Sequence, residues 1–291
     1  AEKYINLEGL NEQQIIDAVD NYTVFGRVTP EQKAILVKAL KNKGHKVAMT
    51  GDGVNDILAL KEADCSIAMA SGSEATRHVS HLVLLDSNFS SMPSVVAEGR
   101  RVVNNVQNSS SLFLMKTIFT ILLTLFCLVL SEGYPFEPSQ VLILETCVIG
   151  IPSFFLALQP NTNKINGGFL TNLLIKSLPA AIIFFLNVLA CFVLKRLDII
   201  PASVYPTMAS LAVTFTGLLV LLRICKPLDI YRGILFAGVL ILITLVLTFA
   251  YNIFNYVSLN ISDILFIIVF VETSYPVYST LVKFFDKSLK R

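Results

Sequence analysis

The chain is poor in charged residues. Only 15% of its 291 residues are Asp, Glu, Lys or Arg, and 54% are hydrophobic, whereas a soluble domain is about 25% charged. The mean hydropathy is +0.67. The shortage is uneven, because residues 1–105 carry 11 basic and 13 acidic side chains and residues 106–291 carry the remaining 12 and 8. This balance predicts a soluble segment followed by a membrane-embedded one.

Paired cysteines and a continuous basic stripe are also missing. The five cysteines are scattered without a CxxC pair, so they are interpreted as small buried hydrophobic residues rather than as metal ligands or disulfides. The net charge is +2 and the basic residues cluster at loop ends, which argues against a nucleic-acid partner. The first residues, Ala1 to Asn6, are polar and mixed, so no signal peptide is predicted.

The first 93 residues alternate strand-like and helix-like runs. The second helix is expected to begin at Pro30, with Thr29 as its cap, and to end at Gly44. Strands are predicted at 24–28, 46–49, 65–70 and 82–86, with further helices at 10–20, 55–63 and 73–80. This order predicts a mostly parallel sheet with helices on both faces, whose ligands lie at the carboxyl ends of the strands.

The segment Met49-Thr50-Gly51-Asp52-Gly53-Val54-Asn55-Asp56 lies between one of these strands and a helix-like run. It breaks at glycines, which let the backbone approach a ligand closely, and it presents two carboxylates four residues apart. The helix that follows can turn its first amides toward an anion. Because Mg²⁺ is commonly held by one or two carboxylates together with phosphate oxygens, the segment is interpreted as a magnesium and phosphate site.

Several motifs give the chain a specific resemblance to the P-type ATPases. The string TGDGVND, with VFGRVTPEQK upstream and IAMASGSEAT downstream, looks like their phosphorylation domain. The resemblance continues through Glu98-Gly99-Arg100-Arg101 and Asn104-Asn105 into the membrane half. It implies the C-terminal portion of such a pump. The expected parts are a partial α/β haloacid dehalogenase-like domain with a Rossmann-type parallel sheet at 1–93, a stalk helix at 94–111, and an all-α bundle of six transmembrane helices, the fifth to tenth of a pump, at 112–291.

The resemblance also assigns roles to individual residues. A lysine one turn into a helix is usually a solvated charge, but in this family the matching lysine neutralises the transferred phosphoryl group. The implied phosphate and metal residues are Lys33 at the phosphoryl group, Asp52 and Asp56 at Mg²⁺, and Thr50, Gly51, Gly53 and Asn55 at phosphoryl oxygens. Mg²⁺ and ATP are the implied cofactors, with the ATP site mostly outside this chain.

The aspartate that this family phosphorylates, in Asp-Lys-Thr-Gly-Thr, does not occur in the sequence. Segments resembling the actuator and nucleotide-binding domains are also missing. The chain alone is therefore not expected to complete a catalytic cycle. Its expected partners are the remainder of the same pump, including the actuator domain, the nucleotide-binding domain and the first four transmembrane helices, together with the lipid bilayer and the transported cation.

Six apolar runs are long enough to span a membrane. They lie at 112–130, 139–158, 173–194, 204–222, 233–254 and 262–282. With the soluble part in the cytoplasm, the loops expected outside, 131–138 and 255–261, contain no Lys or Arg, as the positive-inside rule requires. Lys195 and Arg196 are an exception, attributed to snorkelling. We expect a multi-pass protein of a bacterial plasma membrane with its C terminus in the cytoplasm.

Charges inside the spans are functional candidates because burying them in lipid is costly. Lys116 and Glu145 are predicted to face each other, as a structural pair or as a proton-linked switch. The stretch Glu145 to Pro152 resembles the sixth helix of calcium-type pumps, and Gly150 and Pro152 are expected to break that helix and free carbonyls for a cation. Further polar candidates are Thr117, Thr120, Asn187, Thr214, Thr216 and Glu272; for the hydroxyls and the amide, interhelical hydrogen bonding is the alternative.

The resemblance thus predicts ATP-driven cation transport through an aspartyl-phosphate, with Ca²⁺ export as the first expectation. Calcium pumps have acids where this chain has Thr120 and Ile149, and Lys116 could displace one positive charge, so H⁺, K⁺ and Mg²⁺ are alternative cargoes. A membrane-anchored phosphatase of the haloacid dehalogenase type is another alternative, although it requires an Asp-x-Asp or Asp-x-Thr that does not precede the lysine motif. The phosphate residues argue against a non-catalytic membrane module.

Overall fold

A computed structural model describes residues 3–165, 167–226 and 228–289. The chain divides into two compact units, with the boundary between Val96 and Ala97. The end of the predicted tail, residues 290 and 291, lies outside the described residues. Each unit is built from a different class of element, α/β in unit 1 and helical in unit 2, as the alternating strand and helix runs and the later apolar runs predict.

Unit 1 alternates strands and helices in the predicted order. The elements are β1 (Tyr4–Asn6), α1 (Glu12–Asn21), β2 (Val24–Gly26), α2 (Pro30–Asn42), β3 (Ala48–Gly51), α3 (Ile57–Glu62), β4 (Cys65–Met69), α4 (Glu74–Val79) and β5 (Leu82–Leu84). The parallel arrangement is confirmed, but the strands form two sheets, β1–β2 and β3–β4–β5. The three-residue strand β1 was not predicted, since so short a run carries no periodic signal.

The predicted start of α2 is confirmed, and it positions a functional side chain. The Thr29 hydroxyl accepts a hydrogen bond from the Gln32 amide, the Gln32 side chain accepts one from the Thr29 amide, and Pro30 takes the first helical position. Such a reciprocal cap satisfies two backbone donors that a helix start would otherwise leave unpaired. Because the cap fixes the first turn, it also fixes the origin of the Lys33 side chain.

Unit 2 is helical. Its elements are α5 (Met92–Leu130), α6 (Pro138–Ile143), a π-helical segment (Leu144–Gly150), α7 (Ile151–Ala157), α8 (Phe169–Arg196), α9 (Tyr205–Ile224), α10 (Ile230–Phe249) and α11 (Ile261–Leu289). In the described part of the chain, six helical stretches are long and apolar enough to cross a membrane, which confirms the predicted number. The first of them has no break between the predicted stalk and the predicted span, because α5 runs through both.

The fifth predicted span, 233–254, differs from the structure at both ends. α10 begins at Ile230 and ends at Phe249, and a separate 3₁₀ turn follows at Tyr251–Phe254. Hydropathy alone did not signal this end, because the turn residues are themselves largely apolar. The Tyr251 hydroxyl donates to the Val257 carbonyl, 2.5 Å away, which holds the turn against the loop that leads to α11.

The predicted helix break near Gly150 is wrong in form. The helix continues through a π-helical segment, where the Ile151 amide donates to the Thr146 carbonyl five residues earlier. A π-helical turn accommodates an extra residue without interrupting the helix. Pro152 has no amide hydrogen, so it donates nothing to the carbonyls of this turn. The helix is therefore widened here and not broken. The sequence correctly predicts that Pro152 supplies no backbone N–H to this turn.

Lys195 and Arg196 do more than extend toward the membrane surface, because both form an ion pair with an acidic residue. Lys195 Nζ lies 3.2 Å and Arg196 Nη2 lies 2.5 Å from the two carboxylate oxygens of Glu132, in the loop after α5. The Lys195 ammonium also lies over the rings of Phe192 and Tyr205. The two basic residues are thus held by an acid from the neighbouring loop.

Interhelical hydrogen bonding is confirmed for part of the buried polar set. The Asn187 amide on α8 donates to the Thr216 hydroxyl on α9 at 2.7 Å and to the Ser274 hydroxyl on α11 at 3.1 Å. The Thr214 hydroxyl is buried without a hydrogen-bond partner among the described residues. The three-helix contact therefore holds α8, α9 and α11 together, as expected for polar side chains in a lipid-embedded bundle.

Candidate functional site

Asp56 is the centre of the site in unit 1. Its side chain is only 10% exposed, at the end of a 3₁₀ turn that follows β3. One carboxylate oxygen, Oδ1, accepts a charge-assisted hydrogen bond from Lys33 Nζ at 2.7 Å. The other oxygen, Oδ2, accepts longer contacts from the amides of Asp52 at 3.3 Å and Gly53 at 3.4 Å. All three hydrogen-bond partners of this carboxylate are donors, as a group with two acceptor oxygens allows.

Two glycines let the loop close on itself. A Cβ at Gly51 would lie 2.5 Å from the Asp56 Cβ, and a Cβ at Gly72 would lie 2.5 Å from the Asp52 carbonyl oxygen. The amide of Ser73 donates to that same carbonyl at 2.8 Å. The turn after β4 therefore supports the turn after β3. Gly72 and Ser73 belong to the motif IAMASGSEAT, but their role was not predicted from the sequence, although the Ser-Gly-Ser run after a strand was a signal for it.

The remaining predicted residues of this site are distributed around that core. Thr50 lies in β3, paired in register with Ile67 of β4. Asp52 and Asn55 are exposed, and in the part of the chain that the structure describes, neither side chain has a hydrogen bond or an ion pair. The Gly53 amide, which the resemblance assigns to phosphoryl oxygens, donates to Asp56 Oδ2 at 3.4 Å. Lys33 and Asp56 are in contact, whereas Asp52 is held near them through its backbone.

The acidic residues at this site fit a magnesium ion. Asp52 offers an exposed carboxylate immediately after β3, whereas Asp56 already accepts three hydrogen bonds. Among the described residues no group of three or more His, Cys, Asp or Glu forms a complete metal cage. Mg²⁺ is commonly bound by one or two carboxylates, with waters and phosphate oxygens as the other ligands. Asp52 can therefore ligate the ion while Asp56 holds the loop and Lys33 in place.

The predicted pairing of Lys116 with Glu145 is confirmed in unit 2. The Lys116 ammonium on α5 forms an ion pair with the Glu145 carboxylate in the π-helical segment, and the side chains are 35% and 40% exposed. Thr120, one turn further along α5, lines a cavity of about 20 Å³ together with Lys116 and Ser210. The structure thus brings three of the transport candidates together at the widened part of the second span.

Two other transport candidates lie apart from this pair. The exposed Thr117 donates its hydroxyl hydrogen bond to the Phe113 carbonyl of its own helix, at 3.1 Å. Glu272 lines a largely apolar groove formed by residues of α9, α10 and α11 and of the loop before α11. Neither Lys116 nor Glu145 lines that groove.

A polar connection between α5 and the end of α7 was not predicted. Asn105 is buried and donates to the carbonyls of Ala157, at 3.0 Å, and Gln159, at 2.6 Å. Asn104 donates to the carbonyls of Asn161 and Asn163. These bonds tie α5 to the segment that continues from the Glu145 helix. The Asn-Asn pair in the sequence was a signal, but its partners lie more than 50 residues away and could not be read from it.

The comparisons with known proteins agree with both units. A profile of haloacid dehalogenase-like hydrolases matches residues 3–64. The Probable cation-transporting ATPase exp7 of Streptococcus pneumoniae is 36% identical over 80% of this chain and 31% of that protein. The calcium-transporting ATPase CtpE of Mycobacterium bovis is 39% identical over 76% of this chain and 29% of its own length. The calcium-transporting ATPase of Bacillus subtilis is 37% identical over 53% and 17%. The chain spans less than a third of each relative.

Proposed function

We propose, from the premise that this chain is a portion of a P-type ATPase, that the whole protein couples ATP hydrolysis to cation transport through an aspartyl-phosphate. The observation that carries the proposal is the position of Asp56, which accepts from Lys33 on one oxygen and from two loop amides on the other. A lysine held beside an exposed acid at the end of a parallel strand suits phosphoryl transfer, where catalysis is mainly positioning and charge neutralisation.

Each residue then has a distinct task. Lys33 supplies a positive charge to the phosphoryl group, and Asp56 orients that charge and keeps the loop closed. Asp52 would hold Mg²⁺, which when bound neutralises charge on phosphate oxygens. Gly72 and Ser73 keep the Asp52 backbone in position. The phosphorylated aspartate and the ATP site belong to the rest of the proposed pump.

The test is Asp52→Asn in the full-length protein. Because the metal loses its charged ligand, phosphoenzyme formation from ATP should fall to background, measured as acid-stable radiolabel. Asp20→Asn is the matched control, since Asp20 is an exposed acid of the same unit paired with Lys43, and it should leave labelling unchanged. Normal labelling of the Asp52 variant would refute the assignment.

We further propose Ca²⁺ as the cargo, bound at the Lys116–Glu145 pair. Relatives with 37–39% identity are named calcium-transporting ATPases, and carboxylate and carbonyl oxygens are the ligands that Ca²⁺ takes. Glu145 lies in the π-helical segment, where Pro152 leaves a carbonyl without a helical donor. Thr120 and Ile149 stand where calcium pumps have acids, and Lys116 already contributes a positive charge, so a single Ca²⁺ is the proposed load.

Glu145→Gln tests this assignment. The variant should still be phosphorylated by inorganic phosphate, but Ca²⁺ should no longer suppress that reaction, because the ion has lost its carboxylate. Lys116→Ala should change the number of ions bound or the pH dependence of binding. Unchanged calcium sensitivity in the Glu145 variant would remove Glu145 from the transport site. If K⁺ or Mg²⁺, and not Ca²⁺, suppresses phosphorylation of the wild type, the Ca²⁺ assignment is refuted, but the assignment as a P-type pump is not.

We also propose a bacterial plasma membrane as the location, with unit 1 in the cytoplasm. The relatives named above come from bacteria. Two of the three connections on the opposite side, 131–137 and 250–260, contain no Lys or Arg, as the positive-inside rule requires of outer loops. The third follows Lys195 and Arg196, the exception to the rule, which are both paired with Glu132. Labelling of single cysteines placed in these two connections, in intact cells, tests the orientation.

A further inference from the structure

A cavity of about 400 Å³ lies at one end of unit 2, where α8 and α10 begin and α9 and α11 end. Side-chain amides of α5 and of the segment after α7 line part of it. Four basic residues also line it, and Asp286 is the one acidic residue among the described lining. The basic residues are Lys176, Arg223, Lys226 and Arg232. Four positive charges against one negative charge leave an excess of three.

Three of these cations are held by neutral groups. Lys176 Nζ donates to the Asn108 side-chain carbonyl at 2.7 Å. The Arg223 guanidinium lies 5.2 Å from the centre of the Tyr278 ring, and the Lys226 ammonium lies 6.0 Å from that of Tyr275. In the described part of the chain, no carboxylate lies within ion-pair distance of Lys176, Arg223 or Lys226. Ring faces and amide oxygens orient a cation without cancelling its charge.

Arg232 has a more structural role. It is buried, and it donates to the Cys225 carbonyl and to the Gln159 side chain, with Asp229 at 3.7 Å. Including Asp229 in the charge count still leaves an excess of two positive charges around the cavity. Arg232 therefore fixes the wall, and the other three basic residues are those with charge to offer a ligand.

We propose that this cavity binds a phosphate-bearing anion, and that the headgroup of an anionic phospholipid is its source. Lysine and arginine are the side chains that bind phosphate, arginine through its planar fork of donors. Arg223 and Arg232 lie in terminal turns of α9 and α10, Lys226 lies in the connection between them, and Lys176 is the eighth residue of α8. The long lysine side chain can extend toward the end of its helix. The site therefore lies near the depth of lipid headgroups, and basic pockets between such helices bind anionic headgroups. The volume falls within the range of small-ligand sites.

This site is separate from the proposed transport site and does not depend on it. Asn108, which holds Lys176, lies eight residues before Lys116 on α5, which is about 12 Å along a helix axis. A variant of the cavity should therefore change anion binding without removing the Lys116–Glu145 pair.

The experiment uses the full-length protein in nanodiscs of phosphatidylcholine, with or without phosphatidylglycerol. The variant is Arg223→Gln with Lys226→Gln. The matched control is Lys283→Gln with Lys287→Gln, which removes two exposed charges from the same end of unit 2 but outside the cavity. The charge-preserving variant Arg223→Lys with Lys226→Arg tests rescue. Bound phosphatidylglycerol is counted by native mass spectrometry, and inorganic phosphate is added as a competitor.

The cavity variant should bind phosphatidylglycerol at least about tenfold more weakly, because each basic residue near the membrane surface contributes to the attraction. The control and the charge-preserving variant should bind like the wild type. Equal loss in the control, or no loss in the cavity variant, overturns the proposal. A third outcome separates the two parts of the proposal. If inorganic phosphate raises the melting temperature of the wild type only, and phosphatidylglycerol raises that of neither protein, the anion site is supported. The phospholipid headgroup is then overturned as its ligand.

Discussion

Asp56→Asn is the change that most directly tests the proposed phosphate site. Asparagine has nearly the same shape as aspartate, so it removes charge without opening space. In the structure, Oδ1 faces the Lys33 ammonium and Oδ2 faces the amides of Asp52 and Gly53. Because an asparagine side chain carries one oxygen and one NH₂ group, either rotation directs a donor at another donor. The variant must therefore lose the Lys33 contact or the loop contacts.

The size of the effect follows from the contact that is lost. A hydrogen bond to a charged group contributes about 1.5–3 kcal/mol. The Lys33 side chain is 35% exposed, so solvent screening places the loss near the lower end of that range. A loss of about 1.4 kcal/mol in the transition state corresponds to a tenfold slower reaction. We therefore expect phosphoenzyme formation to be at least about tenfold slower.

The assay is rapid-quench labelling of the full-length protein with radiolabelled ATP. Asp64→Asn is the matched control. Its carboxylate accepts a hydrogen bond from the Val47 amide at 2.9 Å, and that bond, reinforced by Lys46 and Lys41, lowers the pKa of Asp64. Asp64 is therefore a structural acidic residue of unit 1, and its side chain does not contact Lys33 or the loop between β3 and α3. Its variant should be labelled at the wild-type rate.

Two results would refute the reasoning. Labelling of the Asp56 variant at the wild-type rate, with the protein folded, would mean that the Lys33 charge needs no partner at this position. Equal slowing in the Asp64 variant would mean that unit 1 responds to any lost carboxylate. Circular dichroism of both variants separates slowed chemistry from unfolding.

The remaining predictions concern packing. Gly72→Ala places a methyl group 2.5 Å from the Asp52 carbonyl oxygen, so the backbone must shift. We expect a stability loss of about 1–3 kcal/mol in a thermal melt, together with slower labelling. The control is Gly99→Ala, whose methyl group meets nothing within 4 Å and which should be neutral or stabilising. Asn105→Leu removes two donors and leaves two carbonyls at the end of α7 unpaired, so the melting temperature should fall by the equivalent of about 1–3 kcal/mol. Asn104→Leu, at a half-buried position, should cost less because water can replace its bonds, and equal losses at the two positions would contradict the assigned burial.

Part of the proposed phosphate site could be predicted before the fold was known. The lysine motif, the glycine-aspartate loop and the cap at Thr29 are local patterns, in which chemistry and backbone geometry are set within a few residues. The separate roles proposed for Asp52 and Asp56 could not be inferred from the sequence. They depend on the contact between Lys33 and Asp56, which lie 23 residues apart in the chain. The support from Gly72 and Ser73 likewise required the register of β3 against β4.

In unit 2, the predicted Lys116–Glu145 pair could be inferred because two isolated charges in neighbouring apolar helices have few other partners. The π-helical segment could not, because hydropathy does not distinguish a widened turn from a broken one. The ion pairs of Glu132 with Lys195 and Arg196 also emerged only from the structure, because they join the loop after α5 to the end of α8, more than 60 residues away in the sequence.

By itself, the sequence determined the classes of element, the six membrane-length helices and the family motifs, since these depend on periodicity, hydropathy and residues close together in the chain. The tertiary structure alone decided which charges meet. It paired Asp56 rather than Asp52 with Lys33, and it gathered the basic residues from α8, α9, α10 and the connection between the last two around one cavity. Electrostatic interactions depend on distance through space, and separation along the chain does not specify that distance.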